Sequence, residues 1–335
     1  MNLHLCSRRA IAHLLLVPAT AFACSGEPSG SSMTDGSTTE SATTEATTEA
    51  TTEATTEATT EATTEDAAEP APPGEFRLLT YNVAGLPEGI SSSDPVVNIP
   101  QISPLLNTYD LVLAQEDFYY HTLLMADATH PFQTTPYMEP PDLVDLGDGL
   151  NRFSHYPMQD HDRVGWYDCN GGISDCASDC LATKGWSFAR TTIDANEGVE
   201  NGAPAEIDIY NLHMEAGGCP EDIAIRLQSA HDLVAEITAR SEGRAVIVAG
   251  DFNLRETDPE DVEPLMVILG GAMLTDSCTE LDCGDLRIDK IMYRSSDDLV
   301  LEPLTWEVPP EFVDLDGEDL SDHKPVAVDF AYTPQ

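Results

Sequence analysis

A set of polar residues in this chain follows, or lies within, apolar segments whose patterns predict β-strands. They are Asn82, Glu116, His213, Asp251, Asn253, Asp289, Asp322 and His323. If those strand ends meet at one rim of a packed core, the side chains gather into one pocket. Carboxylate and amide oxygens are the ligands preferred by Mg²⁺, Mn²⁺ and Ca²⁺, and imidazoles beside such an ion suit acid and base catalysis. The pattern therefore predicts metal-assisted chemistry on a phosphate ester.

Residues 245–253 (Ala-Val-Ile-Val-Ala-Gly-Asp-Phe-Asn) are the segment around which we expect that pocket to form. An uninterrupted β-branched run is typical of a strand that is covered on both faces. Asp251 and Asn253 then lie at the mouth of the core. The alternative is a strand followed by an Asx-type turn, because Asp and Asn also favour turns.

The remaining patterns alternate between strands and helices. Pro220 opens a helix over residues 220–240, with Glu221 and Asp222 in its first turn and apolar residues along one face. A second helix is predicted over residues 259–269, and a loop rich in Gly, Asp and Cys over residues 160–183. Strands are predicted at residues 76–83, 111–115, 186–193, 207–212, 288–293 and 326–332, with a weaker element at 153–157.

The N-terminus has the composition of an export signal over residues 1–23. Arg8 and Arg9 precede an apolar stretch that is too short to span a bilayer. The Ala-Phe-Ala-Cys sequence at 21–24 is either a lipoprotein cleavage site, with lipid on Cys24, or an ordinary Ala-x-Ala site. We favour lipidation because a long polar tether follows. This predicts export from a bacterial cell, either as a cell-surface or outer-membrane lipoprotein or as a secreted protein.

Residues 24–74 form that tether. Thr-Thr-Glu-Ala occurs five times in succession from residue 43 and is followed by Thr-Thr-Glu. Four-residue spacing stacks like charges on one helical face, and the segment has no apolar face to bury. We therefore predict a disordered acidic linker before a single catalytic domain at residues 75–335, which we expect to be monomeric.

The predicted domain is strongly acidic. Residues 75–335 contain 13 Lys and Arg against 49 Asp and Glu, a net charge of −36. Such a charge repels polyanions, whereas nucleic-acid binding normally rests on clustered basic residues. Nucleic acid is therefore the less favoured partner.

Six cysteines lie in the domain, and an exported domain with six cysteines predicts three disulfides. Cys278 and Cys283 flank a short acidic loop and are predicted to pair with each other. The other four, Cys169, Cys176, Cys180 and Cys219, allow three pairings that the sequence leaves open.

Other candidate ligands have simpler interpretations. His121, His130, His155, His161 and His231 lack carboxylate partners at metal-ligand spacing and are expected at surface or core positions. The acidic residues 314–319 lack the EF-hand pattern and are expected to form a solvated loop.

Seven short segments together resemble the endonuclease/exonuclease/phosphatase superfamily, whose members include deoxyribonuclease I, apurinic endonucleases, inositol phosphatases and sphingomyelinases. They occur in the family's order and cover residues 76–330. The segments are Thr-Tyr-Asn-Val at 80–83, Gln-Glu at 115–116, Lys-Gly at 184–185, Asn-Leu-His at 211–213, Gly-Asp-Phe-Asn at 250–253, Ile-Asp-Lys-Ile at 288–291 and Ser-Asp-His-Lys-Pro-Val at 321–326.

The resemblance implies an α+β fold, a four-layer αββα sandwich of two mostly antiparallel sheets flanked by helices. It also implies roles for the polar residues. Glu116 is the principal metal ligand, assisted by Asn82 and Asp322. His323, oriented by Asp289, activates the attacking water or stabilises the phosphate. Asp251 and Asn253 position the nucleophile and the phosphate, while His213 contacts the phosphate or protonates the leaving oxygen.

The Lys184-Gly185 pair, together with His213, resembles the sphingomyelinase and phospholipase C branch more than the nucleases. Lys184 would give a phosphate headgroup one cation. The resemblance thus implies an exported Mg²⁺-dependent phosphodiesterase, with Mn²⁺ or Ca²⁺ as alternatives, acting on a phospholipid headgroup. The alternatives are a secreted deoxyribonuclease I-like nuclease and a catalytically silent surface binding module. No exposed aromatic hairpin for membrane entry is evident, and Trp306 and Phe312 are expected to be packing residues.

Overall fold

The computed structural model describes residues 72–137, 146–172, 176, 179–193, 204–285 and 287–335. Within them, the strands in chain order are β1 (Gly74–Asn82), β2 (Leu111–Gln115), β3 (Phe132–Gln133), β4 (Asn151–Ser154), β5 (Met158–Gly165), β6 (Gly185–Thr192), β7 (Glu206–His213), β8 (Val246–Asp251), β9 (Thr275–Asp276), β10 (Asp289–Arg294), β11 (Leu299–Glu307) and β12 (Val326–Pro334). The helices are α1 (Pro95–Leu105), α2 (His121–Leu124), α3 (Pro220–Arg240), α4 (Val262–Gly271) and α5 (Ser277–Glu280), with 3₁₀ turns at Leu106–Thr108 and Asp179–Leu181.

The strands form two six-stranded sheets. The first has the order β11-β12-β1-β2-β4-β3 and the second the order β5-β6-β7-β8-β10-β9. Each sheet contains one parallel pair, β1 with β2 and β7 with β8, and the other pairs are antiparallel. The sheets are thus mostly antiparallel, as predicted.

Three apolar clusters define four layers. The central one packs residues of both sheets, such as Phe76, Ile207 and Ile247, against each other. A second cluster packs Leu233 of α3 and Leu265 of α4 on the outer face of the second sheet. The third packs α1 on the outer face of the first sheet. The αββα sandwich predicted from the sequence is therefore confirmed.

Helix α1 was not predicted, and its sequence explains why. It contains Pro100 and Pro104, and an interior proline removes a helix hydrogen bond. Ile99 and Ile102 are fully buried against the first sheet, so tertiary packing outweighs the poor local propensity.

Several elements differ from the sequence-based predictions. Strand β5 occupies the beginning of the predicted 160–183 loop. Helix α4 begins at Val262 and not at residue 259, because Asp261 holds the preceding turn. The Asp261 carboxylate accepts hydrogen bonds from the Arg226 side chain and from the Arg255 N–H, both at 3.0 Å. Strand β11 includes Trp306, so this residue is a sheet residue paired opposite Val328.

The disulfides join Cys169 to Cys180, Cys176 to Cys219 and Cys278 to Cys283. The last pair is the predicted one, and the other two resolve the pairing that the sequence left open. Among the residues that the structure describes, no helix has both the length and the apolar character required to cross a bilayer. The predicted signal, Cys24 and linker lie outside the described residues.

Gly250 has no room for a side chain. Its φ is +145°, and a Cβ there would lie 2.0 Å from the carbonyl oxygen of Leu212 on the neighbouring strand. We expect Gly250→Ala to reduce the free energy of unfolding by about 2–3 kcal/mol, because the substitution strains both strands. Urea unfolding of the full chain, with the m-value checked for constancy, measures this.

The matched control is Gly270→Ala in α4, where a Cβ meets nothing within 4 Å. Alanine favours the helical conformation, so the free energy of unfolding of this variant is expected to rise by up to about 1 kcal/mol. Equal losses in the two variants would contradict the close approach at Gly250.

Candidate active site

Strand register in the second sheet aligns the residues of one wall of the site. Gly185, His213, Asp251 and Asp289 are successive Cα partners across β6, β7, β8 and β10. Residues in register share a face of the sheet, so the three side chains converge. His213 Nε2 lies 3.3 Å from Asp251 Oδ2.

The first sheet contributes the opposite wall through Asn82 and Glu116. Asn82 ends β1, and Glu116 directly follows β2. The Asn82 side-chain N–H₂ donates to Glu116 Oε1 at 3.0 Å and to Asp251 Oδ2 at 3.2 Å. One amide therefore connects carboxylates that come from different sheets. The Asn82 side-chain oxygen accepts a hydrogen bond from the Ala84 N–H at 3.1 Å.

Glu116 has an unusual backbone conformation. Its φ is +55°, and Asn253 has a φ of +50°, both in the left-handed region that side chains other than glycine rarely adopt. The Glu116 carbonyl accepts hydrogen bonds from the N–H groups of Gly85 and Phe118. A Cβ at Gly85 would lie 2.4 Å from that carbonyl oxygen, so glycine permits the contact that holds Glu116. Strained residues fixed by their surroundings are typical of functional sites.

His323 lies between two acids. Its Nδ1 is 3.0 and 2.9 Å from the two oxygens of Asp289, and its Nε2 is 3.7 Å from Asp251 Oδ2. Burial lowers the pKa of His323, but the hydrogen bond to Asp289 and the charge of Asp251 outweigh it and raise the pKa to about 10. The Asp289 carboxylate thus orients the ring, with Nε2 directed towards Asp251.

The pKa values of the two buried acids, Asp251 and Asp289, shift in opposite directions. Burial alone would raise the pKa of Asp251, but the charges of His213 and His323 bring it below its usual range. Burial raises the pKa of Asp289, and the nearby Asp251 carboxylate adds to this, although the His323 hydrogen bond opposes both. Asp251 is therefore the more firmly ionised of the pair.

Lys184 is paired with an acid that the sequence reasoning did not select. Its Nζ lies 2.7 Å from Asp179 Oδ1, and both side chains are more than nine-tenths buried. The other Asp179 oxygen accepts the N–H of Ala216. The sequence does place Asp179 near Lys184, since Asp179 adjoins Cys180 and precedes Lys184 by five residues in the cysteine-rich segment.

These residues surround one cavity of about 420 Å³. Its lining includes the predicted residues Glu116, Lys184, His213, Asp251, Asn253 and His323, together with Asp179. Asp289 and Asn82 lie directly behind it through the contacts given above. The structure thus brings together all of the predicted site residues except one.

Asp322 is the exception. It is exposed, does not line the cavity, and accepts a hydrogen bond from the Ser92 hydroxyl.

The donor set fits a hard divalent cation. Ligand atoms of Asp251, Asp289 and His323 lie within 4.8 Å of one another, and Glu116 faces Asp251 across the Asn82 amide. Three buried or half-buried carboxylates converge there, and a bound cation would neutralise their negative charge.

Polar contacts beneath the site were also missed. Gln115 Nε2 donates to Asn211 Oδ1 at 2.7 Å, which joins the two sheets one residue before Glu116. The fully buried Arg152 donates to the carbonyl of Ile209 at 3.0 Å. His121 was expected to lack a carboxylate partner, but its Nδ1 is 2.5 Å from Asp117 Oδ2 in a buried cluster. The partners of Gln115 and Arg152 are distant in sequence, so spacing did not reveal them, whereas Asp117 precedes His121 by only four residues.

Comparison of the sequence with those of known proteins finds sphingomyelinases. The chain is 34% identical over 282 residues to the sphingomyelinases of Mycobacterium tuberculosis and Mycobacterium bovis, an alignment that covers 77% of this chain. It spans about half, 53%, of the length of those curated relatives. No family model matches the chain.

Solved structures share the fold. The Staphylococcus aureus beta toxin, in a mutant with bound magnesium ions, superposes with a TM-score of 0.53 and 17% identity, covering 78% of this chain and all of the toxin. Danio rerio TDP2 complexed with a single-strand DNA product gives a TM-score of 0.56 and 16% identity, covering 77% of this chain and 99% of TDP2. At these identities the likeness concerns the fold.

A substitution at Gly85 is expected to displace Glu116 without touching its side chain. In Gly85→Ala the new Cβ collides with the Glu116 carbonyl oxygen, and we expect the dissociation constant for Mg²⁺ to rise about 10–100-fold. Isothermal titration calorimetry on the full chain measures this. Gly218→Ala, where a Cβ meets nothing within 4 Å, is the control. Equal Mg²⁺ affinity in both variants would show that the Glu116 carbonyl contact is dispensable.

The Asp289 carboxylate is expected to keep His323 protonated. In EDTA, the wild-type His323 signal titrates near pH 10, and Asp289→Asn lowers the midpoint towards the ordinary value of about 6.5, because a negative partner is removed. Histidine ring proton NMR measures this, with the signal assigned by its loss in His323→Gln. Asp316→Asn, an exposed acid, should leave the midpoint in place. A low midpoint in the wild type would refute the Asp289 contact.

Proposed function

We propose that the chain, whose fold is that of the deoxyribonuclease I-like endonuclease/exonuclease/phosphatase proteins, is a metal-dependent phosphodiesterase acting on a phospholipid headgroup. The observation that carries this proposal is the cavity in which His323, held by Asp289, faces Asp251, with Glu116 and Lys184 in the same lining. The sequence similarity to sphingomyelinases supports the phospholipid class.

Glu116 is the proposed principal ligand of Mg²⁺, with Asn82 and Asp322 as the further ligands suggested by the sequence. The bound ion would neutralise charge on the phosphoryl oxygens. In the structure Asn82 donates to Glu116 and Asp251, so its contribution in this arrangement is to orient the two carboxylates. Mn²⁺ and Ca²⁺ remain alternatives, since both take oxygen ligands.

His323 is the proposed group that moves or holds a proton. Asp289 fixes Nδ1. Because the pKa of His323 is raised to about 10, the ring is protonated near neutral pH and Nε2 can donate to a phosphoryl oxygen, whereas it would accept a proton from the attacking water only after losing its own. Asp251 stabilises the imidazolium across 3.7 Å. Asn253 lines the same cavity, where its proposed role with Asp251 is to position the nucleophile and phosphate.

His213 and Lys184 complete the proposed phosphate site. His213 is buried, lines the cavity and has Nε2 3.3 Å from Asp251; its proposed role is to contact the phosphate or to protonate the leaving oxygen. Lys184 supplies a positive charge whose present partner is Asp179. A bound phosphate would compete with Asp179 for that ammonium group.

We propose further that the protein is exported, as the signal-like residues 1–23 predict, and that lipid on Cys24 attaches it to a membrane through the acidic linker. Three disulfides in the domain fit an oxidising compartment. The net charge of −36 on residues 75–335 disfavours the nuclease alternative.

Hydrolysis tests the proposal. The purified full chain is incubated with sphingomyelin vesicles and, in parallel, with supercoiled plasmid, each with Mg²⁺ or with EDTA. We expect phosphocholine release that EDTA abolishes and that His323→Ala and Glu116→Gln each reduce about 10²–10⁴-fold, because both the proton-transfer group and the metal ligand are required. Glu318→Gln, an exposed acid outside the cavity, is the control and should retain full activity.

Two results would contradict this function. Plasmid nicking without lipid hydrolysis would favour the nuclease alternative. Turnover of neither substrate, with folding intact, would favour a phosphatase for other esters or a binding module.

A further inference from the structure

Residues 148–151 lie directly against the backbone of Glu116, and we call them the supporting segment. The Asp117 N–H donates to the Gly149 carbonyl at 3.1 Å. A Cβ at Gly149 would lie only 3.1 Å from the Cα of Glu116, so the two backbones are in close contact. None of the catalytic, metal-binding or phosphate-binding roles proposed above falls on this segment. Its contacts nevertheless limit where the strained backbone of Glu116 can lie.

The side chain of Asn151 fastens the supporting segment to the residue that follows Glu116. Its amide nitrogen donates to the Asp117 carboxylate at 2.7 Å and to the Asp117 carbonyl at 3.2 Å. Both residues are 1% exposed. Hydrogen bonds between groups that are shielded from water are stronger than those at the surface, so Asp117 has little freedom to move. A shift of Asn151 would therefore be passed to Glu116 through the peptide bond that joins Glu116 to Asp117.

Arg163 of β5 holds the supporting segment from the second sheet. Its Nη1 donates to the Asp148 carboxylate at 2.5 Å and to the Leu150 carbonyl at 2.7 Å. Its Nη2 donates to the Asn151 side-chain oxygen at 2.7 Å. One guanidinium group thus binds three residues of the segment. The planar arrangement of its donors fixes these acceptors relative to one another, which a lysine ammonium group does not reproduce.

These contacts form a continuous path from one sheet to the other. Arg163 binds the side-chain oxygen of Asn151, and the amide nitrogen of the same side chain binds Asp117, which adjoins Glu116. The Asn82 amide joins the two sheets through the side chain of Glu116. The Arg163 path, in contrast, reaches the backbone that carries this side chain.

A second shielded arginine, Arg190 of β6, forms an ion pair away from the site. Its Nε and Nη2 donate to the two oxygens of Asp208 at 2.7 and 3.1 Å. The side chains of this pair are 22% and 0% exposed, and those of Arg163 and Asp148 are 11% and 7% exposed. Neither Arg190 nor Asp208 is among the described residues that line the cavity. Arg190 is therefore a matched control for the loss of a shielded ion pair.

We infer that Arg163 is a positioning residue, which acts through the supporting segment to hold Glu116 where it binds Mg²⁺. The inference rests on the proposed function, in which Glu116 is the principal metal ligand. Removal of the guanidinium group leaves the shielded Asp148 carboxylate and the Asn151 oxygen without this donor, so the segment shifts. Contacts that orient a metal ligand typically change metal affinity by about 10–100-fold.

Isothermal titration calorimetry with Mg²⁺ on the full chain tests the inference. Arg163→Met keeps much of the apolar length of the side chain and removes its donors, and we expect it to raise the Kd for Mg²⁺ about tenfold. Arg163→Lys keeps the charge but not the planar set of donors, so it should raise the Kd about threefold. Arg190→Met removes the matched ion pair and should leave the Kd as in the wild type. Circular dichroism at the titration temperature establishes that each variant is folded.

Two further measurements separate positioning from a general loss of stability. In an Asn151→Ala background, Arg163→Met should raise the Kd for Mg²⁺ less than it does alone, because both residues lie on one path to Glu116. In hydrolysis of sphingomyelin vesicles, Arg163→Met should need about tenfold more Mg²⁺ for half of its maximal rate, with kcat at saturating Mg²⁺ changed little.

Several results would overturn the inference. They are an unchanged Kd for Mg²⁺ in Arg163→Met, an equal rise of the Kd in Arg190→Met, fully additive effects of Arg163→Met and Asn151→Ala, and no Mg²⁺ binding by the wild type. Absence of lipid hydrolysis in all variants and in the wild type, with the difference in Kd retained, would refute only the proposed function.

Discussion

The arrangement of the site depends on one hydrogen-bonded amide between the two sheets. Asn82 ends a strand of the first sheet and donates to Glu116 of that sheet and to Asp251 of the other. Without such a donor, two buried or half-buried carboxylates would repel each other across the gap between the sheets. The same bond fixes the distance between the wall that carries Glu116 and the row of His213, Asp251 and Asp289.

Rigid backbone geometry supports that amide. Strand register alone brings Gly185, His213, Asp251 and Asp289 side by side, and the closely packed strands tolerate no side chain at Gly250. On the other wall, Glu116 keeps a left-handed conformation because neighbouring N–H groups bind its carbonyl. Sites built on strand ends are more precise than sites on free loops, and both walls here are of that kind.

The surroundings of the site explain how a very acidic domain can accommodate a phosphate. The imidazolium of His323 and the ammonium of Lys184 are each held by an acid, Asp289 and Asp179 respectively. These two positive groups therefore lie inside one cavity. Inside the cavity, the two cations offset the acidic charge of the domain.

The sequence by itself determined the sandwich, the order of the site residues and one disulfide, because apolar strands ending in polar residues leave a periodic pattern and a recognisable series of motifs. It did not reveal α1, whose prolines oppose helix formation until Ile99 and Ile102 are buried against a sheet. Nor did it reveal the Asp179 contact with Lys184 or the exposed position of Asp322. These depend on contacts between segments far apart in the chain or on the path of a loop, and only the tertiary structure decides such contacts.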